Sequence, residues 1–335
     1  MSTYRSLIDQ AKDWLLDAAE PGPRYLAMRD IYPEHHTDYE LRQASLEAHL
    51  HGPIWRVLEH MSPEGWWAKA GPGYSPKYRS TVWAVTQLAQ LGASVKVDAR
   101  LDTACAYLLA NAWSEGGYFS HDGRPSGTFD CLQGNLTWAL LALGFKDQRL
   151  DQSMEWLARS QTGEGVAPRI EKDAPLRYYR YKCGPGFRCA ANGEQSCAWG
   201  AAKAMMAFSL VPPEERTELV QRAIDLGVEY FLSIDPATAS WPSQEKISRN
   251  WWKFGFPVFY ITDLLQVAEA LTALGYANDP RMAGLIELIA KKQVIPGRWA
   301  LEYNYDSKTW GTYGKTGQPN KWVTIRALRV LRRVA

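Results

Sequence analysis

The stretch that decides the fold is "LIELIAKKQVIPGRW", residues 285–299. Its apolar residues Leu285, Ile286, Leu288 and Ile289 fall at helical steps, a glycine turn follows at Gly297, and Trp299 closes the unit. The same succession recurs in "IWRVLEHMSPEGWW" (54–67), "ACAYLLANAWSEGGYF" (104–119), "SMEWLARSQTGEGV" (153–166) and "GVEYFLSIDPATASW" (227–241), the third without the closing aromatic. Each copy is followed by a second, more apolar segment: "RSTVWAVTQLAQLGA" (79–93), "FDCLQGNLTWALLALGF" (129–145), "QSCAWGAAKAMMAFSLV" (195–211), "VFYITDLLQVAEALTALGY" (258–276) and "NKWVTIRALRVLRRV" (320–334).

The unit is therefore a helical hairpin of roughly 50 residues. Three of the second helices end in Leu-Gly, at Gly92, Gly144 and Gly275. Each is followed by an Asp-x-Arg triplet, Asp98 to Arg100, Asp147 to Arg149 and Asp279 to Arg281. Glycine there is a helix stop. The second helices are apolar nearly all round, so they are buried, whereas the first helices are half-polar. Half-buried helices alternating with buried ones predict two concentric rings: an all-α (α/α)6 toroid or barrel of about twelve main helices. Residues 53–335 hold five hairpins, and 1–52, with helices expected at about 4–18 and 23–32, supply a sixth pair in the same domain. An open solenoid is the alternative, but the loops at 162–194 and 236–256 break the even period it would keep.

Composition narrows the partners. The 335 residues carry a net charge of +2, so no nucleic acid or other polyanion is expected. No apolar run approaches the roughly 18 residues of a membrane helix, and the first residues lack the features of a secretion signal. A cytoplasmic protein is expected, with its five cysteines reduced. Fifteen tryptophans and seventeen tyrosines suit either a large core or the wall of an apolar pocket.

The helix–turn–aromatic repeat over about 53–335 resembles that of the terpenoid cyclase and protein prenyltransferase α/α toroids, and "IELIAKKQVIPGRW" is similar to the repeat of squalene and hopene cyclases. The resemblance implies a central apolar cavity, closed at one end, and isoprenoid or similar chemistry with an apolar substrate. The chain departs from each branch. The Asp-x-Asp-Asp acid of class II cyclases is absent; Asp130 and Asp263 stand alone as candidate acids. The aspartate-rich magnesium motif of class I is absent too. "GRPSGTFDC" (123–131) is similar to the zinc-holding Asp-x-Cys of prenyltransferases, but Asp130 adjoins Cys131 and no histidine follows His121. "SCAWG" (196–200) is similar to one element of lanthionine cyclases, without their Cys-His pair.

The cysteines point to chemistry of their own. Cys131 and Cys197 each open a second helix in consecutive repeats, so a toroid brings them to one rim, and Cys183 and Cys189 lie on the loop between. Four thiolates are a common structural zinc set. The candidate is zinc on Cys131, Cys183, Cys189 and Cys197, with Asp130 or His121 as a possible replacement ligand and an iron–sulfur cluster or inert packed thiols as alternatives. A three-thiolate site would leave zinc open for chemistry on a thiol or water. Cys105 reads as core.

Inner-helix residues Tyr78, Arg79, Trp83, Asn135, Trp138, Trp199, Phe259, Tyr260 and Trp322 are the expected cavity wall. Aromatic faces grip apolar ligands and stabilise carbocations. The loop "RIEKDAPLRYYRYK" (169–182) offers Arg177 and Arg180 to an anionic head group, or is a solvated cover over the cysteines. Asp263, amid apolar residues, reads as a buried acid or as the partner of an arginine such as Arg79 or Arg326. The histidines at 35, 36, 49 and 51 read as surface residues. Besides a substrate enzyme, a zinc-thiolate enzyme at the rim and a non-catalytic binding toroid with a structural metal fit this sequence.

Overall fold

The chain's computed structural model describes residues 3–179, 182–238 and 248–335. Thirteen α-helices run through these residues: α1 (Thr3–Leu15), α2 (Pro21–Asp30), α3 (Asp38–Leu50), α4 (Pro53–Leu58), α5 (Thr81–Gln90), α6 (Ala99–Asn111), α7 (Asp130–Ala142), α8 (Gln148–Thr162), α9 (Ala198–Phe208), α10 (Glu218–Leu232), α11 (Leu264–Ala273), α12 (Ala283–Lys291) and α13 (Lys321–Val334). Strands are confined to two-stranded scraps, Arg188–Cys189 with Gln195–Ser196 and Gln293–Ile295 with Arg298–Trp299.

The inner ring forms by neighbour contact: α5 packs on α7, α7 on α9, α9 on α11, α11 on α13, and α13 on α2. Tyr25 and Leu26 of α2 then close on the end of α5, where a Cβ on Gly92 would lie 2.5 Å from the Leu26 side chain. The outer helices back this ring, α6 on α5, α8 on α7, α10 on α9, α12 on α11 and α13, and α1 on α13 and α2. The architecture is thus an all-α toroid, with α1 and α2 as the sixth pair.

Local chemistry explains why the pattern repeats. Each inner helix that ends in Leu-Gly closes with the glycine left-handed (φ +80 at Gly92, +79 at Gly144, +104 at Gly275). The next N–H then reaches back five residues, Ala93 to Leu88, Phe145 to Leu140 and Tyr276 to Leu271. The Asp-x-Arg triplets start the following outer helical turns. Asp98, Asp147 and Asp279 accept the N–H of Arg100, Arg149 and Arg281 at 3.0, 2.9 and 2.9 Å and pair with the same arginines' guanidinium groups. Such a cap contributes about 1 kcal/mol. The closing aromatics lock each hairpin. Trp67 and Trp299 donate their indole N–H to carbonyls ten residues back, Val57 and Ile289, both at 2.7 Å. Their backbone N–H, and that of Phe119, go to Thr81, Thr324 and Gln133 of the next inner helix. The fourth copy's Trp241 lies outside the described residues.

Three expectations are corrected. The polar stretch after α2 contains α3, started by a Thr37–Glu40 capping box that satisfies two free helix N–H groups. His49 is buried, joining Ser45 O at 2.7 Å and accepting the Ser94 N–H at 3.0 Å. Residues 258–262 are not helical; α11 begins only at Leu264, capped by Asp263. The segment before it enters the barrel instead, where Gln90 at the end of α5 holds both the N–H (2.7 Å) and the carbonyl (2.8 Å) of Val258.

The closest inner-helix approach is α7 against α9. A Cβ on Gly134 would stand 2.4 Å from the Lys203 carbonyl carbon and 2.7 Å from the Ala204 nitrogen, both backbone. Gly134→Ala is expected to destabilise the protein by about 1–3 kcal/mol through overpacking, although alanine is the better helix former by about 1 kcal/mol. The sign of the shift in urea denaturation distinguishes the two effects.

Candidate functional site

The N termini of α7 and α9 meet at one rim. With no side chain on Gly200, the Cβ atoms of Asp130 and Cys197 come within 3.8 and 3.9 Å of the position a Cβ there would take. The strand through Lys182 and Cys183 passes the start of α7, Asp130 N–H to Lys182 O at 3.4 Å, and Cys197, the N-cap of α9, donates its N–H to Phe187 O at 2.8 Å. All four rim cysteines are free thiols. Cys189 and Cys197 are neighbours, Cys131 lies near both, and Cys183 lies beside Asp130 and near Cys131 and Cys189.

Their environments differ. Cys197 donates to Cys189 and, with the Ala191 and Asn192 amides and Lys182, holds the Cys189 thiol low against burial; Cys197 is correspondingly raised. Burial pushes Cys131 up to about 12 and Cys183 well above its ordinary value. As placed, no three His, Cys, Asp or Glu side chains among the described residues form a metal-coordinating group. His121 packs its ring on Tyr74 and Phe129 and faces Asp122, at 3.9 Å.

Asp130 is buried at the first position of α7. Ser160 donates to one carboxyl oxygen at 2.8 Å, and the other has no hydrogen-bond partner of good geometry. Burial raises its pKa to about 7, against the opposing pull of Gln161, Ser160 and Cys183.

Asp263 has the opposite fate. It accepts the Gln266 N–H (2.8 Å) and the Gly255 N–H (3.0 Å), and both Arg326 Nη atoms reach it at 2.8 Å. Burial would raise its pKa, but Arg326 and the two amides outweigh that and hold the carboxyl below its usual range. The proton-donor role expected of Asp263 is therefore corrected: it is a paired carboxylate. Arg326, not Arg79, is its partner.

The expected cavity wall is mostly a plug. Trp83 meets Tyr78, Phe259 and Tyr260 at ring distances of 5.1, 5.5 and 5.1 Å, and Tyr305 joins Tyr78 at 4.6 Å. These rings pack on one another because the 254–262 segment brings Phe259 and Tyr260 into the barrel. Arg79 sits outside, 5.2 Å over Trp310 and bonded to Ser307 O at 2.9 Å. Trp322 stacks on Phe256 at 4.9 Å and covers Gly22. Trp199 is half-buried and Asn135 buried in their helices. Arg177 lies 4.3 Å over Tyr179 in an exposed loop, and Arg180 lies outside the described residues.

A cavity of about 570 Å³ opens at the other end, where the inner helices finish. Of the expected wall only Trp138 reaches it; Met206, Phe256, Val258, Gln90 and Gln266 join it, and Arg29, Arg326, Arg329, Arg332 and Arg333 face Asp30 and Glu269 around it. Arg329 and Arg29 bind Asp30, and Arg332 binds Glu34 at 3.0 Å. Arg333 has Thr272 Oγ1 at 3.3 Å and no carboxylate within ion-pair distance among the described residues. Sequence reading named Arg326 only as a partner of Asp263 and missed Arg29, Arg329, Arg332, Arg333 and Lys203, a buried amine bonded to Gln266 beneath the cavity. Burial is the main force lowering Lys203, to about 7, with Asp263 opposing it and Arg326 adding to it. Its signal was a lone charge in the apolar run "AWGAAKAMMAF" (198–208).

No family model matches the chain, and no curated protein sequence matches it. Solved structures similar to it include the type II terpene cyclase MstE from Scytonema without ligand (14% identity, TM-score 0.33, 86% of this chain and 97% of that chain). A variant of that cyclase in complex with geranylgeranyl dihydroxybenzoate gives 13% identity and a TM-score of 0.32 over 87% of this chain and 96% of that chain. A protein from Actinoplanes gives 12% and 0.34 over 87% and 99%. Likeness at this level carries no residue roles. Among the described residues no helix is long and apolar enough to cross a membrane.

Asp263→Asn leaves Arg326 buried and half-neutralised, so a loss of about 3–5 kcal/mol is expected in denaturant unfolding near neutral pH. Because the folded pKa is depressed, the native carboxylate's contribution is complete above the unfolded value of about 3.9 and fades as pH falls through the folded one. The stability gap between wild type and variant should narrow below about pH 4.

Proposed function

We propose that the protein is an enzyme of the terpenoid cyclase or prenyltransferase kind, acting on an isoprenoid or similar apolar substrate whose anionic head group is held at the arginine-lined end of the axial cavity. The asymmetry of that cavity supports the reading. Trp138, Met206, Phe256 and Val258 offer an apolar and aromatic wall, while of the five arginines at its edge four pair with Asp30, Glu34, Asp263 and Glu269 and Arg333 has no carboxylate within ion-pair distance among the described residues. A volume of about 570 Å³ lies within the roughly 300–1,000 Å³ of small-molecule sites. A flexible hydrocarbon chain gains from leaving water along such a wall. A diphosphate or carboxylate head gains from guanidinium forks, which match its oxygens in pairs. Arg333, bonded only to a neutral hydroxyl among the described residues, has donors to spare for it.

Titration calorimetry with farnesyl diphosphate, geranylgeranyl diphosphate and the matching alcohols tests the reading, with chromatographic analysis of products from longer incubations. The diphosphates should bind more tightly than the alcohols. Arg333→Ala should weaken diphosphate binding about tenfold, the worth of one charge-assisted contact of about 1.5 kcal/mol, and leave alcohol binding unchanged. Wild-type protein that takes up neither class, or a variant that loses both equally, would sink the proposal.

A further inference from the structure

The thiol cluster lies at the rim opposite the cavity mouth and does not enter the substrate reading. We propose that a zinc ion draws Cys131, Cys183, Cys189 and Cys197 together as four thiolates and fastens the 182–197 loop to the first turns of α7 and α9; as placed, the described thiols lie near one another without forming a metal-coordinating group.

Three separate pieces of chain deliver the four sulfurs. Cys131 comes from the first turn of α7 and Cys197 from the cap of α9, while Cys183 and Cys189 come from the loop that runs between the two helix starts. Within the cluster, Cys189 meets Cys197, Cys131 lies near both, and Cys183 lies near Cys131 and Cys189. In the structure the four sulfurs are free thiols; a bound ion would draw them into one shell.

Backbone N–H groups lie close to two of the sulfurs, those of Ala191 and Asn192 near Cys189 and that of Gly200 near Cys197. Amides so placed spread the negative charge of a metal-bound sulfur. A zinc tetrathiolate carries net negative charge, and this one would face the positive ends of α7 and α9. Lys182 lies near Cys189, and Lys203 near Cys131. Asp130, 3% exposed, stands beside Cys183 and keeps one carboxyl oxygen without a hydrogen-bond partner.

The loop has little regular structure of its own. Between Cys183 and Cys197 its regular structure is one pair of two-residue strands and two three-residue turns, and Phe187 is its one large buried apolar side chain. A cross-link to the helix starts supplies what a core does elsewhere.

Elemental analysis of the purified full chain, with cobalt(II) exchanged for the ion, is the deciding experiment. One zinc per chain is expected, with the tetrahedral cobalt spectrum and strong charge-transfer bands of an all-thiolate site. Cys183→Ser and Cys197→Ser should lose the ion and melt lower, while Asp130→Asn and Cys105→Ala should keep it. If the serine variants do not fold, chelation of wild-type protein decides: it should remove zinc, lower the melting temperature, and be reversed by added zinc. Metal-free protein with four reactive thiols, a melting temperature indifferent to chelator, bound iron instead of zinc, or a Cys189–Cys197 disulfide in protein kept under reductant would each overturn the assignment. So would an Asp130→Asn variant that loses the ion while a cysteine variant retains it, since the carboxylate would then be the ligand.

Discussion

The rest of the barrel hangs on the guanidinium of Arg326. It is buried on the last inner helix, and it binds Asp263 through both Nη atoms, Glu269 through Nε at 2.9 Å, and Gly255 O at 2.7 Å. Three charges taken out of water are expensive unless every donor and lone pair is used. Here two carboxylates and a carbonyl absorb the whole fork. The result is geometric. Arg326 joins α13 to α11, closes the ring on its late side, and pins Gly255, so the segment that follows must enter the barrel. That segment then brings Phe259 and Tyr260 against Trp83 and turns an open toroid into one with a filled end.

The filled end and the open end differ in kind because the inner helices all run one way. Their N termini present free N–H groups and partial positive charge at one rim; their C termini present carbonyls at the other. Thiols and the buried Asp130 collect at the first rim. Arg29 at the end of α2 and Arg329, Arg332 and Arg333 at the end of α13 collect at the second. Cations near helix C termini and anionic ligands near N termini are each favoured there. One barrel therefore carries two rims of opposite electrical character without any change of fold.

The repeat was legible because its signals are local. A left-handed glycine stop, an Asp-x-Arg start and a closing tryptophan each act within about ten residues, and each did what its sequence implied. Aligning Cys131 and Cys197 in consecutive repeats put both at one rim, and the starts of α7 and α9 do meet there, although as placed no three of the described thiols form a coordinating group. What failed depends on contacts far apart in the chain. "VFYIT" (258–262) has a buried helix's composition, and only Gln90, 168 residues away, shows that it is a plug. Asp263 was readable as a buried acid or as the partner of Arg79 or Arg326, and only the fold, which sets Arg326, 63 residues on, beside it, decides between them. Trp83, Phe259 and Tyr260 were named as a cavity wall, but they pack on one another, and inward-facing side chains can fill a space as easily as line it. Lys203 and Arg329, Arg332 and Arg333 of α13 were overlooked because a charge on a buried helix reads as an exception until its partner is seen.

The two sites are nevertheless not independent bodies. Helix α7 carries Asp130 and Cys131 at the rim and Trp138 and Ala142 at the cavity; α9 carries Cys197 at the rim and Met206 at the cavity. Between them the helices touch backbone to backbone at Gly134 and Lys203, too close for either to slide along the other. Lys203 extends from that contact to Gln266 on the cavity floor, and its charge is felt by Cys131. A displacement of the helix starts thus has to move Trp138 and Met206 as well, because a close-packed pair shifts as a unit. Whatever holds the 182–197 loop in place also sets the wall against which a ligand in the cavity lies.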